Sequence, residues 1–233
     1  MTSQTLPLVP LRGFVVFPGT TFQLVIGRPR SLRALDCASR RGNRVFLAAQ
    51  RDQSIDDPGP GDVEPVGSIC DIVQRVKHRQ GIICTIVQTL RRRDNPVRVT
   101  VNGLNRGSTL EFKESQGFFE VVVKPAPREW EPSSGELDAE RVSTVRALFD
   151  RCVKGTRNPR WDEVLVALAR IDDPGRIADI ISSCLPVSVE QRQRLLEISS
   201  VDEQLEGVLD ILQTEIDGFH GERATPASHR ERP

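Results

Sequence analysis

Several marks of membrane and secreted proteins are missing from this 233-residue sequence. No apolar run approaches the length of about 20 residues that a membrane-spanning helix needs. The first ten residues contain no Lys or Arg and already include Pro7 and Pro10, which does not fit a signal peptide. The hydrophobic share of 38% and the charged share of 27% are typical of an ordinary globular protein. We therefore expect a cytoplasmic protein without a membrane partner.

Cysteine is present in a number and spacing that fit neither a disulfide framework nor a zinc site. The five cysteines are an odd number, lie far apart and form no C-x-x-C pair. They have apolar neighbours, as in Ile69-Cys70, which favours small buried side chains over reactive thiols. The cysteines are Cys37, Cys70, Cys84, Cys152 and Cys184.

The common catalytic motifs are also missing. The dipeptide Gly-Lys never occurs, which excludes a phosphate-binding P-loop, and neither G-x-S-x-G nor H-E-x-x-H is present. Outside the carboxyl-terminal tail the only histidine is His78, which lies in a turn-like, charged segment. The acidic pairs Asp56-Asp57 and Asp172-Asp173 each precede a proline, as turns and helix caps do. The sequence thus predicts no enzyme, with no catalytic, cofactor-binding or metal-binding residues and no cofactor.

Tyrosine is absent, and this absence bears on the strongest basic run, Arg91-Arg92-Arg93. A basic face there suggests nucleic-acid binding. Proteins that bind single strands also stack bases on aromatic side chains, but residues 75–98 contain no aromatic residue. A solvated strand end or an acidic protein partner is the better interpretation, and nucleic acid is not expected as a partner.

What is present in the first half is a series of short β-like segments. They are rich in β-branched or aromatic residues and are separated by Gly, Pro, Asp and Asn. One helix interrupts them, with Pro29 in its first turn and Gly42 at its end. This pattern predicts a mostly antiparallel sheet rolled into a small barrel, with one helix covering an opening. The predicted strands are 24–26, 45–47, 69–76, 82–90, 97–101 and 118–123.

The second half changes to a helical period. Asp173-Pro174 and the capping-box pairs Ser188 with Gln191 and Ser200 with Glu203 mark helix starts. Apolar residues then recur at steps of three and four, which predicts a bundle of four or five helices. The fold class is therefore α+β. We place a β-rich lobe at 1–124, a proline-rich linker at 125–135, a helical bundle at 136–216 and a disordered tail at 217–233.

The chain opens with Leu6 to Arg12 and continues with Val15-Val16-Phe17-Pro18-Gly19. This opening and several later segments resemble, in the same order, the amino-terminal domain of the Lon family of ATP-dependent proteases. The similar segments span about residues 6 to 216. The later ones are 27–35, 49–58, 66–68, 99–106, 177–186, 191–196 and 203–212.

The resemblance implies a PUA-like barrel lobe joined to a helical bundle, in a free-standing form without the ATPase and peptidase domains. It also implies a non-catalytic module that recognises unfolded or exposed apolar polypeptide segments. Two alternatives stay open: an adaptor or assembly protein that docks on a full-length ATP-dependent protease, and a PUA-like RNA-binding protein. The implied partner is a polypeptide or another protein, which includes a protease, and an oligomer is possible.

Three phenylalanines are the candidate peptide contacts. Phe14 lies beside a glycine-flanked turn, and Phe118 and Phe119 are adjacent in a predicted strand. Adjacent strand residues point to opposite faces, so one of the last two rings faces outward unless both faces are covered. The alternative interpretation for all three is packing in the core, which is the more common location of phenylalanine.

Overall fold

Alternating apolar residues form six β-strands in the described part of the first half. The computed structural model describes residues 2–77, 96–126, 128, 135–156 and 160–223. The strands are β1 (Gln4–Leu11), β2 (Thr21–Ile26), β3 (Arg44–Ala49), β4 (Val66–Lys77), β5 (Val97–Ser115) and β6 (Phe118–Pro125). Strand β5 is 19 residues long and is far longer than the predicted strand 97–101.

The long strand β5 closes the sheet into a barrel. Its residues 97–108 pair with β4, and its residues 107–115 pair with β6. Strands β5, β4, β3, β1 and β6 therefore form a closed ring, and β2 lies outside this ring on residues 97–102 of β5. Only the β1–β3 pair is parallel among these pairings. The predicted small, mostly antiparallel barrel is confirmed.

Two apolar clusters lie on the two faces of this sheet. The first cluster, like the second, draws on all five strands of the ring. Its members include Leu8, Phe46, Ile69, Phe112 and Val121. The second cluster packs the opposite face of the sheet against a helix and strand β2. Its members include Val9, Leu35, Leu47, Val99 and Phe118.

The predicted covering helix is α1 (Pro29–Arg40). Proline begins the helix because its fixed φ suits the first turn and its missing N–H has no partner there anyway. Ala34, Leu35 and Ala38 lie on the buried side. This face packs against β1, β3 and β6. That the helix covers an opening of the barrel stays a prediction.

Five helices follow in the described part of the second half, together with caps predicted for them. They are α2 (Gly135–Thr156), α3 (Arg160–Leu168), α4 (Pro174–Cys184), α5 (Val189–Glu197) and α6 (Val201–Arg223). Asp173 accepts a hydrogen bond from the Arg176 amide at 3.0 Å. Ser188 and Gln191 exchange two bonds at 3.1 and 3.2 Å, as a capping box requires.

The chain folds as two units whose boundary interrupts α4. The first contains residues 1–127 and 182–197, and the second contains residues 128–181 and 198–233. Helix α5, assigned from the sequence to the bundle, thus belongs with the barrel. There the Gln193 side chain donates to the Val66 carbonyl at 2.9 Å, and Arg106 donates to the Leu196 carbonyl at 2.8 Å. The predicted domain boundaries stay a prediction, with one difference at the end: residues 217–223, predicted as tail, continue α6.

Some predicted features lie outside the described residues. These are the strand 82–90, His78, Cys84 and the basic run 91–93. Most of the linker and the tail from residue 224 onward also lie outside them.

Candidate binding groove

An open groove of about 290 Å³ runs along strand β2 in the first unit. The end of β1 and the start of α1 form its other side. The groove is therefore built from elements that the barrel and its covering helix hold in place. Its lining residues are Pro10, Leu11, Arg12, Phe14, Gln23, Leu24, Val25, Ile26, Gly27, Arg28 and Ser31.

One side of the groove is apolar and partly exposed to solvent. The Phe14 ring meets the Phe22 ring edge to face, with centroids 4.8 Å apart and planes at 84°. Both rings are partly buried against the cluster beneath α1. Val25 is 61% exposed. The groove thus offers apolar surface that the fold itself does not fully cover.

The other side carries two arginines, and the lining contributed by the described part of the chain contains no Asp or Glu. Arg12 pairs with Asp56 at 2.9 Å and also donates to the Ile55 carbonyl at 3.0 Å. Arg28 donates to the side-chain oxygen of Gln50 at 2.8 Å. These contacts fix both guanidinium groups against the loop at residues 50–57. The lining is therefore net positive in charge.

Gln50 is the buried residue that organises this loop. Its side chain is 2% exposed, and its amide nitrogen donates to the carbonyls of Asp52 and Ile55 at 2.5 and 2.6 Å. A buried amide requires such partners, because an unsatisfied one is costly. Hydrogen bonds from the side chain and backbone of Ser54 lower the pKa of Asp52 and so favour the charged carboxylate in the same turn.

The three candidate phenylalanines occupy different environments. Phe14 lines the groove. Phe118 is 4% exposed and lies in the cluster beneath α1, so its ring is core. Phe119 points to the opposite face and is partly buried, with the Arg30 guanidinium carbon 4.9 Å from its ring centroid. Of the three, only Phe14 contributes to the groove, and a role in ligand contact stays a prediction.

The acidic pair Asp56-Asp57 forms ion pairs with neighbouring arginines. Asp56 pairs with Arg12, and Asp57 pairs with Arg30 at 2.9 Å. Asp172-Asp173 includes the cap of α4. Within the described residues, no group of three or more His, Cys, Asp or Glu side chains is placed to hold a metal ion.

Sequence reasoning missed the groove network, although it noted the segment that supplies it. The run from Ala49 to Asp52 was one of the segments with family resemblance. The sequence feature that could have indicated this network is Gln50, which directly follows the apolar strand β3. A glutamine at the buried end of a strand needs hydrogen-bond partners for its side-chain amide. Arg28 and Gln50 are 22 positions apart, so no local pattern joins them.

The fold is a closed barrel with one covering helix, joined to a helical unit, and two solved structures share it. The amino-terminal domain of a Lon protease of the Mycobacterium avium complex superposes with a TM-score of 0.67 at 20% identity, covering 90% of this chain and 98% of that one. A Lon amino-terminal domain protein from Xanthomonas campestris superposes with a TM-score of 0.57 at 18% identity, covering 89% and 98%. These likenesses establish the fold.

The family follows from the sequence comparisons. Residues 5–214 match the sequence model described as the ATP-dependent protease La (LON) substrate-binding domain. The chain belongs to this family. It is 34% identical over 221 residues to the Lon protease of Solibacter usitatus, with 95% of this chain and 25% of that protein covered. For the Lon protease of Bacillus thuringiensis the identity is 34% over 212 residues, with 90% and 24% covered. The chain spans about a quarter of the length of these relatives.

None of the helices in the described ranges combines the length and the apolar character needed to cross a bilayer.

Proposed function

We propose that the groove along β2 binds exposed apolar segments of unfolded polypeptides, and that the chain breaks no bond itself. The observation that carries this proposal is the partly exposed apolar surface of Phe14 and Val25 beside the strand. The family description, a substrate-binding domain, supports a protein ligand. Such a module would act by holding polypeptides, in the cytoplasm, for a proteolytic reaction performed elsewhere.

The groove suits an apolar side chain better than a folded surface. A single phenylalanine or leucine side chain buries apolar area against Phe14 and Val25, which favours binding by roughly 25 cal/mol for each Å² removed from water. A folded protein presents few apolar side chains in an extended form.

The first test replaces one exposed valine by a charge. Val25→Asp places a carboxylate in the apolar side of the groove, whereas Val166→Asp changes a valine of similar exposure, 55% against 61%, in helix α3. A fluorescein-labelled peptide of ten residues, rich in leucine and phenylalanine, serves as the probe in an anisotropy titration. We expect Val25→Asp to weaken binding about tenfold or more and Val166→Asp to change it less than about twofold. Equal effects of the two variants would contradict the proposal.

The second test separates the phenylalanines. Phe14→Ala removes a ring that lines the groove, and Phe119→Ala removes a partly buried ring that does not. We expect a loss of affinity for the first variant only, while both keep a cooperative melting transition. Unchanged binding of the Phe14 variant would remove Phe14 as a contact.

A second candidate function is an adaptor that docks on an ATP-dependent protease. It is favoured by the relatives, which are named Lon proteases and contain the matching segment as about a quarter of their length. Affinity purification of the tagged chain from its native cells, with mass spectrometry, tests this candidate. A protease recovered equally with wild type and Val25→Asp would assign the docking surface elsewhere on the chain. Recovery of no protease would reject the adaptor.

A further inference from the structure

Strand β2 is an edge of the sheet, and a bulge at its start sets its hydrogen-bond register. Gly19 has a φ of 71° and donates its amide to the Gly103 carbonyl at 2.9 Å, while the Gly103 amide donates to the Thr20 carbonyl at 3.0 Å. These two bonds define a β-bulge of the type that requires glycine at its first position. From the bulge onward, bonded and non-bonded pairs alternate along the antiparallel ladder. Phe22, Leu24 and Ile26 therefore direct their backbone groups toward β5.

The alternate residues direct their backbone groups away from β5. These are Thr21, Gln23 and Val25, which are also the residues of β2 whose side chains are exposed. The Thr21 hydroxyl lies 2.7 Å from the side-chain oxygen of Asn102, as expected for neighbours in a non-bonded pair. No strand of the described residues pairs with this edge. Three amides and three carbonyls thus face the edge of β2 that points away from β5. Two of these residues, Gln23 and Val25, line the groove.

We propose that the groove takes its polypeptide as an added β-strand, which pairs with the free edge of β2 through main-chain hydrogen bonds. This inference rests on the proposed function and names the form of the ligand: an extended segment with apolar side chains at alternate positions. Main-chain pairing supplies affinity without a fixed sequence, and alternate side chains meet the apolar surface. An edge strand that carries an exposed valine and no charge is open to such pairing, since natural sheets block their edges with lysine, proline or bulges.

The positive charge of the groove favours one kind of peptide over others. Arg12 and Arg28 line it, and no acidic residue among those that the structure describes does so. Arg12 is 42% exposed in its side chain, so it stays accessible beside its exposed partner Asp56. An added strand that ends in an acidic residue places its carboxylate at these arginines. The favoured ligand is thus an extended apolar segment with an aspartate or glutamate at one end.

The first experiment changes one backbone amide of the protein. Gln23→Pro removes an N–H that faces the groove, but it removes no bond of the internal ladder, as is tolerated in an edge strand. Gln23→Ala is the matched control, since it removes the side chain and keeps the N–H. The probe is a fluorescein-labelled peptide of ten residues in which valine and serine alternate, with one terminal aspartate. We expect Gln23→Pro to weaken binding about tenfold or more and Gln23→Ala less than about twofold, with similar melting temperatures.

The second experiment uses the wild-type chain, so that no variant needs to fold. The probe is N-methylated at its odd positions in one peptide and at its even positions in another. Since a strand bonds to a neighbour only through every second residue, we expect one peptide to lose binding at least about tenfold and the other to retain it. Strand addition would be overturned if the two methylated peptides bound with equal affinity and the Gln23→Pro and Gln23→Ala variants also bound the probe with equal affinity.

These outcomes distinguish the inference from the proposed function. If the wild-type chain binds neither this probe nor the leucine-rich peptide, the proposed function itself fails. If it binds both without any effect of N-methylation, the groove binds polypeptide by side chains alone. Sedimentation of the chain without peptide adds one control: a dimer that Gln23→Pro dissociates would assign the edge to a second copy and overturn a polypeptide ligand.

Discussion

The close approach of two backbone segments at Gly103 makes the entrance to β2 sensitive to a single methyl group. In a Gly103→Ala variant the new Cβ would lie 2.2 Å from the Phe17 carbonyl oxygen and 3.0 Å from its carbonyl carbon. The oxygen is about 1 Å closer than the 3.4 Å at which ordinary contact begins. Both atoms belong to the backbone, so no side-chain rotation relieves the clash. The segment that contains Phe17 must move.

This movement lowers the free energy of unfolding in two ways. Phe17 is fully buried, so its displacement disturbs the packed core, and overpacking of this kind costs about 1–3 kcal/mol. The two hydrogen bonds between Gly103 and residues 19 and 20 weaken as well, at about 1 kcal/mol each. We expect a loss of roughly 2.5–4.5 kcal/mol, after about 0.5 kcal/mol is regained from a less flexible unfolded chain. For a chain of this size the melting temperature then falls by roughly 5–15 °C.

Differential scanning calorimetry measures this effect, and Gly61→Ala is the control. A Cβ at Gly61 meets no atom within 4 Å, so we expect a change below about 0.5 kcal/mol. The Gly103 variant should also lose affinity for the apolar peptide, because the bulge that positions β2 shifts. A Gly103→Ala chain that melts within about 2 °C of wild type would refute this reasoning.

Three further predictions concern other parts of the chain. Asp179→Asn breaks a buried ion pair with Arg128 and should destabilise the second unit by about 3–5 kcal/mol in urea titration, whereas Asp150→Asn, in an exposed pair, should cost less than about 1 kcal/mol. Arg106→Met removes the donor to the Leu196 carbonyl near the end of α5, so we expect faster amide hydrogen exchange in α5. Unchanged exchange would show that this hydrogen bond does not hold α5 in place. Burial, with a smaller effect of the nearby Asp71 carboxylate, raises the pKa of Cys70 above its ordinary 9.0, so the folded chain keeps a proton that the unfolded chain loses. The corresponding stability is present below pH 9 and is lost as the pH rises further, by at most about 1.4 kcal/mol per pH unit, and Cys70→Val should flatten that decline.

The barrel was predictable because its strands alternate in polarity. Val97, Val99 and Val101 are buried, and Arg98 between them is exposed. The same alternation separates Phe118 from Phe119, since one ring enters the cluster beneath α1 and the other turns to the opposite face. Helix α1 was predictable for a similar reason, because its apolar residues recur on one side behind a first-turn proline.

The length of β5 was not predictable from local preference. The β-like pattern stops at Val101, where Asn102 and Gly103 follow, and both residue types are rare in strands. The structure gives the reason for the glycine, because the Phe17 carbonyl approaches too closely for any side chain. A glycine such as Gly103, which a strand needs where another backbone approaches closely, is therefore read as a turn when only the sequence is known.

The groove was out of reach for a different reason. Its residues come from three separate segments, and the register that turns Gln23 and Val25 toward the free edge depends on a bulge at Gly19. Phe14 was identified as a candidate from its position beside a glycine, but Phe118 was identified with equal weight and is core. Sequence patterns show which residues are apolar, and only the pairing of strands shows which apolar surface stays open.

Amide hydrogen exchange, measured residue by residue with and without the alternating valine–serine peptide, tests the binding edge most directly. Saturating peptide should slow exchange at Thr21, Gln23 and Val25, while Phe22 and Leu24, already bonded to β5, change little. Protection that appears elsewhere in the chain and leaves those three amides unchanged would contradict a polypeptide ligand on β2.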